Sequence, residues 1–130
     1  MSVISTAAQI VAIVDDDADV RRSLESLLRS AGVSSLSYAC AAELLASGDE
    51  ARLGCVVTDL HMPGMTGLEL QSEIARRGWP LPLIVMTAYP TDAARDQALA
   101  AGALFFLTKP IDPDRLLEAV ASATHLRPRS

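Results

Sequence analysis

Five polar side chains stand at the ends of short apolar runs, and their types are those that phosphate chemistry uses. They are Asp15, Asp16, Asp59, Thr87 and Lys109. Neighbouring carboxylates repel one another unless a hard cation lies between them, and Mg²⁺ binds oxygen ligands and bridges one or two carboxylates to a phosphate. Lysine offers a positive charge and threonine a hydroxyl donor to phosphoryl oxygens. The set predicts phosphoryl transfer to a carboxylate, with Mg²⁺ as the cofactor.

The five residues divide into predicted roles. Asp59 is the predicted nucleophile and would form an acyl phosphate, because Asp15 and Asp16 are adjacent and better placed to anchor a cation. Asp16 would hold Mg²⁺ with support from Asp15. Lys109 and Thr87 would contact the phosphoryl oxygens, one as a charge and the other as a hydrogen-bond donor. The loop after Asp59 is rich in Pro and Gly, which predicts a pocket open to a protein-sized donor.

Each of these residues also has an ordinary structural explanation. The three aspartates at 15–17 could cap a helix, Asp59 could belong to a turn, Thr87 could end a strand and Lys109 could be a solvated charge. Taken singly, these explanations account for each residue equally well. The joint placement at four strand ends is what favours a site. We interpret His61 as a loop residue near the pocket and not as a metal ligand through its ring.

The elements that must position these residues alternate along the chain. Runs rich in Val and Ile predict strands, and stretches with 3.6-residue periodicity predict helices. Strands are predicted at 10–14, 33–38, 55–58, 83–86 and 103–107. Helices are predicted from Asp17 or Ala18 to Gly32, at 41–46, from Leu68 to Gly78, at 91–101 and from about 112 onward. Five βα units predict an α/β fold with a parallel sheet covered on both faces, which binds ligands at the carboxyl ends of its strands.

Length and composition limit the other possibilities. With 130 residues, half of them hydrophobic and 4% aromatic, the chain can form one domain with an aliphatic core. Its net charge of −5 argues against direct binding of nucleic acid or of an anionic membrane. No apolar run approaches ~18 residues, so no transmembrane span is expected, and the polar start does not resemble a signal peptide. Cys40 and Cys55 lack metal or redox spacing, so we expect reduced thiols and a cytoplasmic location.

Four segments of the chain resemble the CheY-like receiver domain of two-component response regulators. They are Ile13–Asp17, Thr58–Gly67, Met86–Ala88 and Lys109–Pro110. The resemblance covers residues 9–124, with 1–8 as an N-terminal tail and 125–130 as a C-terminal tail or linker. It implies a single (βα)5 flavodoxin-like domain, doubly wound, with strand order 2-1-3-4-5. The spacings are most like those of receivers of the nitrogen-fixation regulator type, which often precede a helix-turn-helix output domain and regulate transcription.

The resemblance implies a role for each site residue. Asp59 would be the phosphoacceptor and would receive a phosphoryl group from a histidine kinase or a phosphotransfer protein. Asp16, Asp59 and the backbone carbonyl of His61 would hold Mg²⁺, and Asp15 would support them without ligating the ion. Lys109 would contact the phosphoryl group. The domain would be a signalling module with self-catalysed phosphorylation and dephosphorylation, not an enzyme with a separate substrate.

The resemblance also implies a conformational switch. The Thr87 hydroxyl would move to the phosphoryl group and the Phe106 ring would rotate inward, repacking the face of the fourth helix, fifth strand and fifth helix. The Lys109–Pro110 peptide would be cis. The repacked face would engage an output domain, a downstream protein or a second copy in a homodimer. The kinase or phosphotransfer domain would dock on the first helix near Ala18 and Arg22 and on the loop after the cis peptide.

Three positions depart from the residues usual in the family. Pro90 stands where Gly is frequent, Thr66 where Asp or Ser is frequent, and Ile111 where Phe is frequent. None of these changes removes a group of the site. They bear on the amplitude and the output face of the switch.

Three other functions compete with this interpretation. A phosphohydrolase with an aspartyl-phosphate intermediate usually has a second acid two residues after its nucleophile, where this chain has His61. A degenerate receiver that only binds a constitutive partner is disfavoured by the intact set of site residues. A flavin or dinucleotide binder is disfavoured because no GxGxxG segment follows the first strand.

Overall fold

The computed structural model describes residues 10–126, and within them strands and helices alternate as predicted. The strands are β1 (Ile10–Val14), β2 (Ser35–Tyr38), β3 (Leu53–Asp59), β4 (Leu83–Thr87) and β5 (Phe105–Thr108). The helices are α1 (Ala18–Ser30), α2 (Ala41–Ala46), α3 (Gly67–Arg76), α4 (Asp92–Ala100) and α5 (Pro113–Leu126). A short 3₁₀ turn at Glu50–Arg52, which the sequence analysis did not predict, precedes β3. The predicted N-terminal tail, 1–8, lies outside the described residues, as do residues 127–130 of the predicted C-terminal tail, 125–130. Residues 125 and 126 of that tail belong to α5.

The described strands form one parallel sheet in the order β2-β1-β3-β4-β5. The chain therefore turns back on itself between β2 and β3, with β1 beside β3 in the middle of the sheet. This is the doubly wound order that the sequence resemblance implied, and the prediction is confirmed. The carboxyl ends of β1, β3, β4 and β5 lie side by side at one edge.

Two predicted strands begin later than expected, and the cause is the same at both. The N–H of Val33 donates to the carbonyl of Leu28, and the N–H of Ala103 donates to that of Ala98. These bonds close the preceding helices by satisfying carbonyls that the helix leaves free. Residues 33–34 and 103–104 are therefore not part of β2 and β5, although their apolar side chains match a strand pattern.

The core lies on both faces of the sheet. On one face, α1 and α5 pack on the central strands through Leu24, Leu28, Leu116 and Val120. On the other face, α2 and α3 pack through Leu44, Leu70 and Ile74. A smaller third cluster lies between α3 and α4, where Leu68 of α3 packs against the buried side chains of Leu60, Val85, Ala98 and Ala103. Fully burying a leucine or valine stabilises a fold by roughly 1.5–3 kcal/mol, so the two large clusters fix the position of the sheet's carboxyl edge.

The two cysteines agree with the expectation of reduced thiols. Cys55 is buried, Cys40 is partly buried, and both are free thiols. Trp79 is a packing residue at the edge of the α2–α3 cluster, and the Arg77 guanidinium stacks on its ring at 5.2 Å. None of the helices within residues 10–126 combines the length and apolarity that crossing a bilayer requires.

Candidate functional site

The backbone brings the predicted site residues to one edge of the sheet. Thr58 pairs with Val14, Asp59 pairs with Met86, and the N–H of Lys109 donates to the carbonyl of Thr87 at 2.8 Å. Each of these residues ends a strand or follows one, and that strand is hydrogen-bonded to a neighbouring strand of the sheet. Buried apolar strands give these positions a fixed backbone, which a surface loop alone would not provide.

Three carboxylates meet at this edge. Asp15, Asp16 and Asp59 each offer an oxygen, and the three oxygens lie within 4.8 Å of one another. Asp15 is fully buried and Asp59 is 7% exposed, whereas Asp16 is exposed to solvent. An all-oxygen, all-anionic donor set of this kind fits a hard divalent cation such as Mg²⁺.

The two oxygens of Asp15 already have partners. Its Oδ1 accepts from the N–H of Asp17 at 2.9 Å, and its Oδ2 accepts from the Nζ of Lys109 at 2.9 Å. Asp16 and Asp59 are therefore the carboxylates with more freedom to ligate a cation directly. This division matches the predicted supporting role of Asp15.

Lys109 supplies the positive charge of the site. Its Nζ lies 2.9 Å from Asp15 Oδ2 and 3.5 Å from Asp59 Oδ1. Burial disfavours the ammonium, but the hydrogen bond to Asp15 and the charges of Asp15 and Asp59 outweigh it, so the pKa of Lys109 is raised. The lysine is therefore charged at neutral pH and lies between the two buried carboxylates.

The environment of Asp59 disfavours the charged form of its carboxyl group. Burial raises the pKa of the Asp59 carboxyl, the nearby charge of Lys109 opposes that rise, and the charge of Asp15 adds to it. The backbone N–H of His61 also donates to the Asp59 carboxylate and favours the charged form. The net direction is a raised pKa, because the cost of burying the charge outweighs the favourable charge of Lys109 and the hydrogen bonds to the carboxylate.

Thr87 and Phe106 are close to the site but do not belong to the carboxylate cluster. Thr87 is fully buried, and its Oγ1 accepts from the N–H of Tyr89 at 3.0 Å. Phe106 is half-buried and packs against the small cluster between α3 and α4. The Lys109–Pro110 peptide is cis, as the resemblance implied.

The position of the His61 ring does not suit a metal ligand. It is exposed and lies edge-on to the ring of Tyr89, with centroids 6.2 Å apart and planes at 68°. Within residues 10–126, the cluster that could hold a metal contains the three aspartates and not this ring. The interpretation of His61 as a loop residue beside the pocket agrees with its position.

Gly67 fixes how closely α3 approaches the end of β3. A Cβ at this position would lie 2.6 Å from the carbonyl oxygen of Asp59 and 3.0 Å from the Cα of Leu60. Thr66 caps α3 in a reciprocal arrangement with Glu69. Asp and Ser are also good N-cap residues, so Thr66 can fill the same role. The loop after Asp59 is therefore ordered by its own sequence.

Two hollows flank the site. One lies between α1 and the loop after Lys109 and has a mainly apolar lining that includes Val20, Leu24, Leu27, Ile111 and Pro113. The other lies between the start of α4 and the start of α5, and its lining includes Pro90, Arg95, Phe106, Asp112 and Arg115. The first lies on the helix and the loop where a phosphate donor was predicted to dock, although neither Ala18 nor Arg22 lines it. The second lies on the predicted output face.

Sequence reasoning missed two residues that touch the site region, Arg21 and Tyr89. Arg21 donates through Nη1 to the backbone carbonyl of Asp15 at 2.6 Å. Tyr89 is 74% exposed next to Thr87. A large aromatic side chain two residues after a strand end was a visible signal for Tyr89. Arg21 stands three and seven residues before Leu24 and Leu28, beside the buried face of α1, and this helical spacing is the signal that separates it from the adjacent Arg22.

Known proteins resemble this chain over most of its length. The response regulator receiver domain family matches residues 11–121. Nodulation protein W of Bradyrhizobium diazoefficiens is 38% identical over 115 residues, which are 88% of this chain and 51% of that protein. The transcriptional regulatory protein FixJ of Azorhizobium caulinodans is 40% identical over 113 residues, which are 87% of this chain and 54% of that protein. The chain thus spans about half the length of these curated relatives.

Solved structures also resemble this chain over most of its length. The crystal structure of FixJ-N has a TM-score of 0.86 and 31% identity, covering 93% of this chain and 97% of that one. The chemotaxis protein CheY4 of Vibrio cholerae has a TM-score of 0.81 and 28% identity, covering 90% and 99%. The family match over residues 11–121 and the identity to these relatives show that the chain belongs to the response regulator receiver domain family.

Proposed function

We propose that this receiver domain takes a phosphoryl group onto Asp59 from a histidine kinase or a phosphotransfer protein. The observation that carries the proposal is the position of the Lys109 ammonium, 3.5 Å from the nearly buried carboxylate of Asp59 and 2.9 Å from that of Asp15. A buried structural ion pair needs one carboxylate for one lysine. The additional carboxylates of this cluster are what binding a cation and a phosphoryl group requires.

The transfer step is a substitution at phosphorus. An Asp59 carboxylate oxygen attacks the phosphorus of the donor phosphohistidine, the P–N bond breaks, and the imidazole leaves and takes up a proton. Asp16, Asp59 and the backbone carbonyl of His61 would hold Mg²⁺. The bound ion supplies positive charge that offsets the charge of the phosphoryl oxygens in the transition state.

Lys109 acts in two ways in this proposal. Before transfer its ammonium offsets the negative charge of Asp15 and Asp59. After transfer it donates to a phosphoryl oxygen as a charge-assisted hydrogen bond. The same proximity would assist the hydrolysis that returns the domain to its resting state, so phosphorylation from small donors and dephosphorylation would both be self-catalysed.

The response to phosphorylation would pass through Thr87 and Phe106. The Thr87 hydroxyl now accepts a hydrogen bond from its own turn, and its proton is available for a phosphoryl oxygen. Its movement would leave space into which the half-buried Phe106 ring could turn. The α4–β5–α5 face would then repack and engage an output domain that regulates transcription, a downstream protein or a second copy of the domain.

The donor would dock at the apolar hollow beside α1. Val20, Leu24 and Ile111 line this hollow, and Lys109 borders it on the side of the phosphoacceptor. An amphipathic helix that carries a phosphohistidine would bury its apolar side here. A cytoplasmic location follows from such a partner. Reversing the charge of the exposed Arg22 should slow transfer from the cognate donor but not from a small one, and an unchanged rate would contradict this docking site.

The first test is intact mass after incubation with Mg²⁺ and a small acyl phosphate. The native chain should gain one phosphoryl group, and the Asp59→Asn variant should gain none. Omitting Mg²⁺ should abolish the gain in the native chain. No gain, with no response to beryllofluoride, would contradict the proposal and favour a receiver that acts only as a constitutive binding module.

A further inference from the structure

Asp15, the first residue of the β1–α1 loop, forms hydrogen bonds through four of its atoms. The N–H of Asp15 donates to the carbonyl of Tyr38 at 3.2 Å, and its two carboxylate oxygens accept from Asp17 and Lys109, each at 2.9 Å. Its carbonyl oxygen accepts from Nη1 of Arg21 at 2.6 Å. The first three bonds tie Asp15 to the sheet and to its own loop, and only the fourth comes from a side chain of α1.

The direction of the Arg21 side chain follows from helix geometry. Side chains on a helix lean toward its N-terminus, so an arginine one turn into α1 can reach back to the loop before the helix. The adjacent Arg22 leaves the helix on another side, is 69% exposed and pairs with Asp19. The two consecutive arginines therefore make different contacts, because consecutive side chains leave a helix on different sides.

The bond from Arg21 acts on the residue after Asp15. The carbonyl of Asp15 and the N–H of Asp16 belong to one planar peptide group. Fixing the carbonyl therefore fixes the plane from which the Asp16 side chain starts. The Asp16 carboxylate is exposed, so its direction toward Asp59 depends on this backbone more than on packing.

We propose that Arg21 is a positioning residue of the cation site, which holds the Asp15–Asp16 peptide so that the Asp16 carboxylate faces Asp59. The inference rests on the proposed function, because it assumes that Asp16 ligates Mg²⁺. Arg21 does not touch the ion. It acts through the backbone, as outer residues that orient metal ligands do.

Charge and positioning predict opposite effects when Arg21 is replaced. Removing a positive charge near an anionic cluster should by itself strengthen the binding of a cation. Removing the bond to the Asp15 carbonyl should weaken binding, because Asp16 loses its fixed direction. The sign of the change in Mg²⁺ affinity therefore separates the two effects.

The test is a Mg²⁺ titration of the native chain and of variants, followed by the chemical shifts of backbone amides. Arg21→Met keeps the apolar part of the side chain and should raise the dissociation constant about tenfold, the low end of losses seen when outer residues of metal sites are changed. Arg21→Lys keeps a donor and should recover part of the affinity. Arg29→Met removes the same charge from an exposed position on the same helix and should not weaken binding.

The outcomes distinguish the inference from the function on which it rests. An unchanged or lower dissociation constant for Arg21→Met, with Mg²⁺ binding intact in the native chain, would overturn the inference alone. No Mg²⁺-dependent shift in the native chain would overturn both. If Arg21→Met does not fold, Arg21→Gln, which keeps an amide but is too short to reach the carbonyl, should show the same loss, and native-like affinity would count against the proposal.

Discussion

The two helices α1 and α4 leave the same edge of the sheet but are attached to it very differently. Helix α1 has 13 residues and buries Leu24 and Leu28 in the largest core cluster. Helix α4, all of whose residues the structure describes, has 9 residues and buries Ala98 alone. Since stabilisation grows with apolar area removed from water, α1 is held by a much larger free energy than α4.

Polar contacts also hold α1 more firmly than α4. At α1, the Asp17 side chain accepts from the N–H of Asp19 at 2.8 Å and from that of Val20 at a longer 3.4 Å, and Arg21 bonds back to the loop at 2.6 Å. At α4, the Thr91 side chain accepts from one N–H, and the bond from Gln71 to the Ala98 carbonyl is long, at 3.4 Å. Helix α1, beside the proposed phosphate site, is therefore held firmly. Helix α4, on the proposed output face, can move at a small cost in free energy.

The largest expected effect is the replacement of a core residue on α1. Leu28→Ala removes a fully buried side chain, and the cavity and lost burial should lower the free energy of unfolding by about 2–5 kcal/mol. Urea unfolding measures the change. Leu99→Ala on α4, at a side chain that is 44% exposed, is the matched control and should cost far less. Equal losses would contradict the comparison between the two helices.

Amide hydrogen exchange compares the two helices without mutation. Amides in the middle of α4 should exchange at least about tenfold faster than those in the middle of α1, because α4 can open without exposing a large apolar area. Exchange followed by NMR gives the protection of each amide. Similar protection in α1 and α4 would show that α4 opens only with the whole domain.

Replacing Asp59, the proposed phosphoacceptor, should raise the free energy of unfolding. Because the pKa of Asp59 is raised in the folded domain, its charged form opposes folding above that pKa, and the opposition disappears as the carboxyl is protonated in acid. Asp59→Asn should therefore raise the free energy of unfolding at pH 7 by about 0.5–2 kcal/mol, as stabilising substitutions commonly do.

The pH dependence of this gain is its control. Urea unfolding of both proteins from pH 7 downward should show the difference shrink as pH falls to the ordinary range of an aspartate. A gain that stays constant with pH would indicate that the asparagine acts through packing or hydrogen bonding instead of through charge.

The smallest expected effect concerns the cap of α4. Thr91→Ala removes the acceptor of the Ala94 N–H and should cost about 0.5–1 kcal/mol, toward the low end for cap residues. Because little else holds the first turn of α4, hydrogen exchange there should accelerate while the urea midpoint changes slightly. Thr91→Ser keeps the acceptor and should leave exchange as in the native chain.

The sequence predicted the elements well because buried parallel strands are continuous runs of Val, Ile and Leu, such as 83–86, between amphipathic stretches. Periodicity does not determine which strands are neighbours, so the strand order came from the resemblance to a family. The starts of β2 and β5 were wrong because the backbone N–H groups of Val33 and Ala103 close helices. Side-chain patterns do not reveal where an N–H donates.

For the candidate site, the sequence pointed to residues but not to their contacts. Strand-end positions identified Asp15, Asp59 and Lys109, since parallel strands bring their carboxyl ends together. The apolar spacing of α1 places Arg21 beside Leu24 and Leu28 and puts Arg22 on the opposite side of the helix. What the spacing leaves open is the acceptor that the Arg21 side chain reaches, which is the carbonyl of Asp15.

The contact at Gly67 limits which sequences can carry out this chemistry. Alanine, the next smallest residue, would bring a methyl carbon to 2.6 Å from the Asp59 carbonyl and 3.0 Å from the Leu60 Cα. Both contacts are with backbone atoms, so either the end of β3 or the start of α3 would have to shift. A library that is randomised at position 67 should therefore return mostly glycine.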